Sequence, residues 1–164
     1  MTKSVLERGY TISLDIKPIG FEAGWGSILH ATTGANCCGY GQRTPGIWFH
    51  PNTNQLHICS PVNGNGNLCY DSAPLSTKTF TRVVVRQIQR GATKRYHYEI
   101  WINGQRKVDV VNTRTSKFRN VKYFVGDPWH ASAKAELRNI KVTNHPHQGL
   151  TFFLSFYIMN LPSN

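Results

Sequence analysis

The chain has 164 residues, of which 40% are apolar, 12% aromatic and only 16% charged. That is too many rings for a disordered chain, about the right length for one compact domain, and, with fourteen Gly and eight Pro spread along it, no collagen and no long coiled coil. Nineteen Lys and Arg against eight Asp and Glu leave a net charge of +11. This favours an acidic partner such as nucleic acid, anionic lipid or an acidic glycan, and limits carboxylate chemistry and oxygen-ligated metals.

The dominant hydrophobic period along the chain is two, the signature of strands. Residues 1–9 form a polar lead without the apolar core of a signal peptide, so a secreted reading makes this chain a mature fragment, an expressed piece or the product of an incomplete gene model. Tyr10, Ile12, Leu14 and Ile16 then alternate with polar residues up to Pro18. Trp25 to Ala31 predicts a second strand, and Gly46 to His50 with Leu56 to Cys59 predicts a hairpin across Pro51-Asn52-Thr53-Asn54. Thr79 to Arg90 is the longest strand signal. It places Val83 and Val85 on one face and Arg82, Val84, Arg86, Ile88 and Arg90 on the other. Tyr96 to Ile102 runs into Asn103-Gly104, the dipeptide of a type I′ hairpin turn, and Val108 to Val111 pairs back across it. Phe118 to Val125 marks a further strand. Leu137, Ile140 and Val142 mark the last, with a slip in alternation that predicts a bulge. Thr32 to Thr44 and Pro61 to Pro74 read as irregular. No amphipathic helix of ten residues is visible, so the expected class is an all-β antiparallel sandwich over residues 10–144, with a tail over 145–164. The apolar run Leu150 to Met159 in that tail is shorter than the roughly 20 residues of a spanning helix, and it is expected to lie outside the sandwich.

Cys37, Cys38, Cys59 and Cys69 fall within 33 residues, without a C-x-x-C pair or a regular His spacing, which argues against a zinc knuckle. An even count in a small domain fits two disulfides and an oxidising compartment, against four buried thiols in a cytosolic protein. Because a bridge between neighbours in sequence is strained, the expected pairing has Cys37 and Cys38 each reaching forward, one to Cys59 and one to Cys69.

The order of motifs is similar to one family. "YTISLDIKPIG…WGSILH" (10–30), "PGIWFHPNTNQLHI" (45–58), "FTRVVVRQ…YHYEIWING" (80–104) and "VKYFVGDPWHASAKAELRNIKV" (121–142) together resemble a concanavalin A-like, laminin G-like jelly roll. The DPW segment and the block "TTGANCCGYGQRTPGIW" resemble its secreted, lectin-like animal members. The resemblance implies a two-sheet jelly-roll sandwich that binds glycans or matrix proteins, in some members with calcium. One branch of the family hydrolyses glycans with paired carboxylates on one strand face. No E-x-D-x-E or E-x-D-x-x-E stands here and Glu99 is alone on its strand, so no enzyme is expected.

Three groups are candidates for recognition. Asp127, Trp129 and His130 pair a hydroxyl-accepting carboxylate with a ring that can stack on a sugar; the plainer reading is a turn with Asp at its first position and Pro128 at its second. Asn63, Asn65 and Asn67 alternate with glycines, and their amides suit sugar hydroxyls as well as they suit a bare turn. Arg82, Arg86 and Arg90, extended by Lys94, Arg95, Arg106 and Lys107, would grip sulfate or carboxylate, or simply form a solvated face. Asp15, Asp71 and Asp127 are too scattered for a good calcium site, although calcium is the one cofactor the resemblance admits. The seven histidines are dispersed, and a metal at His145 and His147 is not expected. Trp25, Trp48 and Trp101 are assigned to the core, and nucleic acid is disfavoured because exposed aromatics do not interleave with the basic residues. The leading expectation is a non-enzymatic extracellular glycan-binding module, with acidic or sulfated glycans fitting the charge. The alternative is a structural or adhesive domain of an extracellular matrix or mucus protein.

Overall fold

The computed structural model describes residues 4–92 and 95–145; the expectations for Lys94, His147 and Leu150–Met159 fall outside that range. Thirteen strands follow one another: β1 (Val5–Leu6), β2 (Gly9–Pro18), β3 (Gly26–Thr32), β4 (Gly46–Phe49), β5 (Gln55–Val62), β6 (Asn65–Pro74), β7 (Thr81–Arg90), β8 (Arg95–Ile102), β9 (Gln105–Asn112), β10 (Phe118–Arg119), β11 (Lys122–Phe124), β12 (Ala131–Ser132) and β13 (Ala135–His145).

They form the expected all-β sandwich. One sheet runs β11-β3-β4-β5-β6, with β12 on β3 as a short parallel addition; the other runs β13-β2-β7-β8-β9; and β1 pairs with β10. Alternation dictates which faces meet. Ile12, Leu14, Ile16, Val83, Val85, Tyr98 and Ile100 of one sheet pack on Ile28, Leu29, Ile47, Phe49, Leu56 and Ile58 of the other. Polar ties cross this core at Ser60, whose Oγ accepts from the Tyr98 hydroxyl at 2.9 Å and also hydrogen-bonds Tyr10, all three buried. Asn103 and Gly104 take φ of 47° and 75°, as the type I′ turn between β8 and β9 requires. The predicted bulge in β13 lies between Arg138 and Lys141, with Asn139 at a φ of 54°. Gly9 and His145 are register partners at the end of the β2–β13 ladder.

Three expectations change. Much of the stretch read as irregular over Pro61–Pro74 is β6, an edge strand with only one buried residue, Ser72. The cysteines pair as Cys37–Cys38 and Cys59–Cys69. Strand register decides this: Cys59 and Cys69 face each other across β5 and β6 with Cα atoms 4.1 Å apart, leaving the adjacent pair in the loop before β4 to bond to each other. Finally, Trp25, Trp48 and Trp101 are absent from the core between the sheets. Trp48 is buried, but on the outer face of β4 beneath Arg43, whose guanidinium lies 4.6 Å from the ring centroid. Trp101 lies on the outer face of β8, with the Arg86 and Arg106 guanidiniums 4.9 and 5.7 Å from its ring.

Candidate functional site

The outer face of the six-stranded sheet carries rings and imidazoles. On a regular strand Ser27 and His30, three residues apart, would point to opposite faces. A bulge in β3 between Ser27 and Leu29 sends Ile28 and Leu29 both into the core and returns His30 to the outer face beside Ser27. In β4, Ile47 and Phe49 point inward, so Trp48 points outward. Gly46 makes room for it, since a Cβ there would collide with the Trp48 ring. His57 and Cys59 of β5 and Cys69 and Asp71 of β6 continue the face, with His57 in register with Trp48 on one side and Asp71 on the other.

Two carboxylates organise these groups. Asp127 sits in the turn between β11 and β12, over the gap those two strands leave along the edge of β3. Its Oδ2 accepts from Ser27 Oγ at 2.9 Å and from Trp48 Nε1 at 2.9 Å, and His30 Nδ1 lies 3.1 Å away. Its Oδ1 accepts from the Trp129 and His130 backbone amides at 3.0 and 2.9 Å, with His130 Nδ1 at 2.9 Å. The side chain is wholly buried. Burial alone would raise its pKa, but the hydrogen bonds from Ser27, His130, Trp48 and the Trp129 amide more than offset that and hold it at about 2. Asp127 is therefore an ionised anchor for the turn, with no oxygen left for a ligand, and what the turn presents to solvent is Trp129, 40% exposed, flanked by His30 and Phe124.

The second carboxylate, Asp71, is half exposed. His50 Nε2 and His57 Nδ1 converge on its Oδ1 at 2.7 and 2.6 Å. The Trp25 ring lies over both imidazoles at 4.6 and 4.8 Å. Burial lowers the His57 pKa against the pull of Asp71, and burial likewise lowers that of His30 against Gln42 and Asp127. The hydrogen bonds from His57 and His50 outweigh burial and keep Asp71 below its usual value. Near neutral pH the face thus offers one accessible anionic carboxylate among rings.

The other sequence candidates scatter. Asn67 joins this face, its Oδ1 accepting from Arg43 Nη1 at 2.8 Å. Asn63 spends its amide on Val111 O and on the Thr113 amide and hydroxyl, and Asn65 accepts from the Asn67 amide. Arg82, Arg86 and Arg90 line the outer face of the opposite sheet and are paired: Arg82 with Asp15 at 3.0 Å, Arg86 with buried Glu99 at 2.6 Å, and Arg90 with Glu99 and Asp109 at 3.0 and 2.7 Å. The basic stripe is thus largely neutralised within its own sheet. Asp15, Asp71 and Asp127 are held by three different sets of partners and do not converge. The histidines, dispersed in sequence, do converge: His30, His50, His57 and His130 all lie on the Trp48 face. No local motif announces this, because strand register and the β3 bulge create it.

No family model matches the chain, and a search of curated proteins finds no match. Among solved structures, the carbohydrate-binding module CBM66 from Bacillus subtilis is similar over 85% of this chain and 76% of that one, at 13% identity and a TM-score of 0.43.

Proposed function

We propose that the outer face of the six-stranded sheet binds a glycan, and that the chain is a non-enzymatic, extracellular, lectin-like module. The observation that carries this reading is the combination of Trp129, exposed at the tip of a turn locked by Asp127, with Trp25, His50, His57 and Asp71 on the same sheet face. Rings offer flat apolar contact to the carbon face of a sugar, while imidazoles and a carboxylate exchange hydrogen bonds with its hydroxyls. A rigid sheet holds them, which keeps the ordering cost of binding low. The non-catalytic reading draws on the same chemistry: Asp127 has no oxygen to spare, and the four cysteines are bridged. Two disulfides support an oxidising compartment. A preference for acidic sugars draws on the net charge of +11 alone, since the arginine stripe is paired.

A glycan array followed by titration of a positive sugar tests the reading. Trp129→Ala should weaken binding at least tenfold, while Arg82→Ala on the opposite sheet leaves it within twofold. For the acidic-sugar version, affinity should fall with added salt. An array without a positive would overturn the glycan reading and leave an adhesive domain that binds matrix proteins as the explanation to pursue.

A further inference from the structure

We infer that His50, His57 and Asp71 form a binding site for a divalent transition metal ion of the zinc class. The three residues come from three neighbouring segments: the residue that follows β4, the outer face of β5 and the outer face of β6. Their donor atoms, His50 Nε2, His57 Nδ1 and Asp71 Oδ1, all lie within 4.8 Å of one another, and both nitrogens stand 2.6–2.7 Å from the one oxygen. Donors around a tetrahedral zinc ion, with bonds of about 2.0–2.2 Å, are separated by roughly 3.3 Å. A shift of about 0.7 Å by half-exposed Asp71 would bring both nitrogen–oxygen separations to that value.

The surroundings fit ligation. Metal-bound imidazole must present a lone pair, so the proton of neutral His57 moves from Nδ1 to Nε2, which lies 3.0 Å from Cys59 Sγ, a weak acceptor. The Cys59–Cys69 bridge ties β5 to β6 one outward-facing pair away from His57 and Asp71. Trp25 covers both imidazoles and restricts their rotation. Two imidazoles and a single carboxylate select zinc, cobalt, nickel or copper over calcium and magnesium, which want several oxygens. Three protein donors leave at least one position for water or an incoming ligand, and Asp71 is half exposed to solvent. The neighbouring donor set, His57 with Cys59 and Cys69, offers no thiolate because its sulfurs are bonded to each other. On the opposite sheet His97 also meets a carboxylate, Asp109, but there Arg90 and Arg106 take the place of a second imidazole.

The test uses the full chain, stripped with chelator. Zinc is titrated by calorimetry, and cobalt by its visible absorption and by quenching of tryptophan fluorescence. The expected result is one saturable zinc site per chain, cobalt bands that zinc bleaches, and no heat from calcium. His50→Ala and Asp71→Asn should each weaken zinc binding at least tenfold, with His97→Ala within twofold of the unmodified protein. Circular dichroism checks folding, and because Asp71 is half exposed its substitution remains informative if His50→Ala fails to fold. Absence of a saturable site up to millimolar zinc, or equal binding by both variants and the parent, would overturn the assignment and leave a hydrogen-bonded triad.

Discussion

Replacing Asp127 by Asn removes one negative charge and turns one acceptor into a donor without changing shape. Two effects set the cost. The hydrogen bonds hold the folded carboxyl at about 2 against 3.8 for an unconstrained aspartate, which corresponds to roughly 2 kcal/mol of stability. In addition, Oδ2 serves Ser27, His30 and Trp48 while Oδ1 serves Trp129 and His130, so either orientation of the amide turns an N–H towards donors. An orphaned buried donor costs about 1–3 kcal/mol. The two estimates overlap, because both count lost hydrogen bonds, and together they predict a loss of about 2–4 kcal/mol at pH 7. The sign with pH follows from the depressed folded pKa. The stabilisation is complete above the unfolded value near 3.8 and disappears as pH falls through about 2, so the gap between parent and variant should shrink over that window. Urea unfolding followed by tryptophan fluorescence, from pH 7 down to pH 2 without reductant, measures the gap directly. A gap below about 0.5 kcal/mol at pH 7, or one that stays constant into acid, would refute the anchor role of Asp127.

Other perturbations probe the frame around the site. Cys59→Ala with Cys69→Ala removes a bridge spanning ten residues and should cost about 3 kcal/mol in denaturant unfolding by chain-entropy reasoning; a loss under about 1 kcal/mol would contradict it. Tyr98→Phe removes the hydrogen bond to Ser60 across the sandwich, leaving Ser60 the Tyr10 hydroxyl, and should cost about 1 kcal/mol, with Tyr98→Phe/Ser60→Ala costing less than the sum of the single changes. Gly46→Ala forces the Trp48 ring off β4, so the near-ultraviolet dichroism should change and stability should fall by about 1–3 kcal/mol; an unaltered spectrum would show that the ring does not rest on the backbone there.

The frame of this fold was written plainly where one face is buried and the other wet. β7 alternates in burial as it does in sequence, and Asn103-Gly104 announces its own turn. β6 was hidden because Asn63-Gly64-Asn65-Gly66-Asn67 has turn composition, and the strand is held by its ladder to β5 and by the Cys59–Cys69 bridge rather than by β-propensity. The Asp127-Pro128-Trp129-His130 motif was legible as a turn, but whether its carboxylate faced a ligand or the protein depended on Ser27, His30 and Trp48, which lie 79 to 100 residues away. The Asp71 cluster was invisible for the same reason: His50, His57 and Asp71 share no local spacing, and only the register of three strands brings their side chains together. The alternation of β7 places Arg82, Arg86 and Arg90 on one face. The sequence hides their partners because Asp15 and Glu99 sit on the flanking strands opposite Arg82 and Arg86, and Asp109 lies one strand further out, opposite Glu99.

The pairing of Gly9 with His145 has a consequence for how such a unit can be used. Opposed residues in an antiparallel ladder stand only about 5 Å apart, so β2 begins where β13 ends, at neighbouring points on one sheet, and β1 stays close by, with Val5 O accepting from Asn144 Nδ2 at 2.8 Å. A host protein could therefore carry it as a plug-in within a surface loop, with little rearrangement of the host and no long spacer. The same proximity would let a short linker join residues 5 and 145 with Leu6 kept in the core, so that new ends could be opened elsewhere, for instance at the exposed Asn103-Gly104 turn.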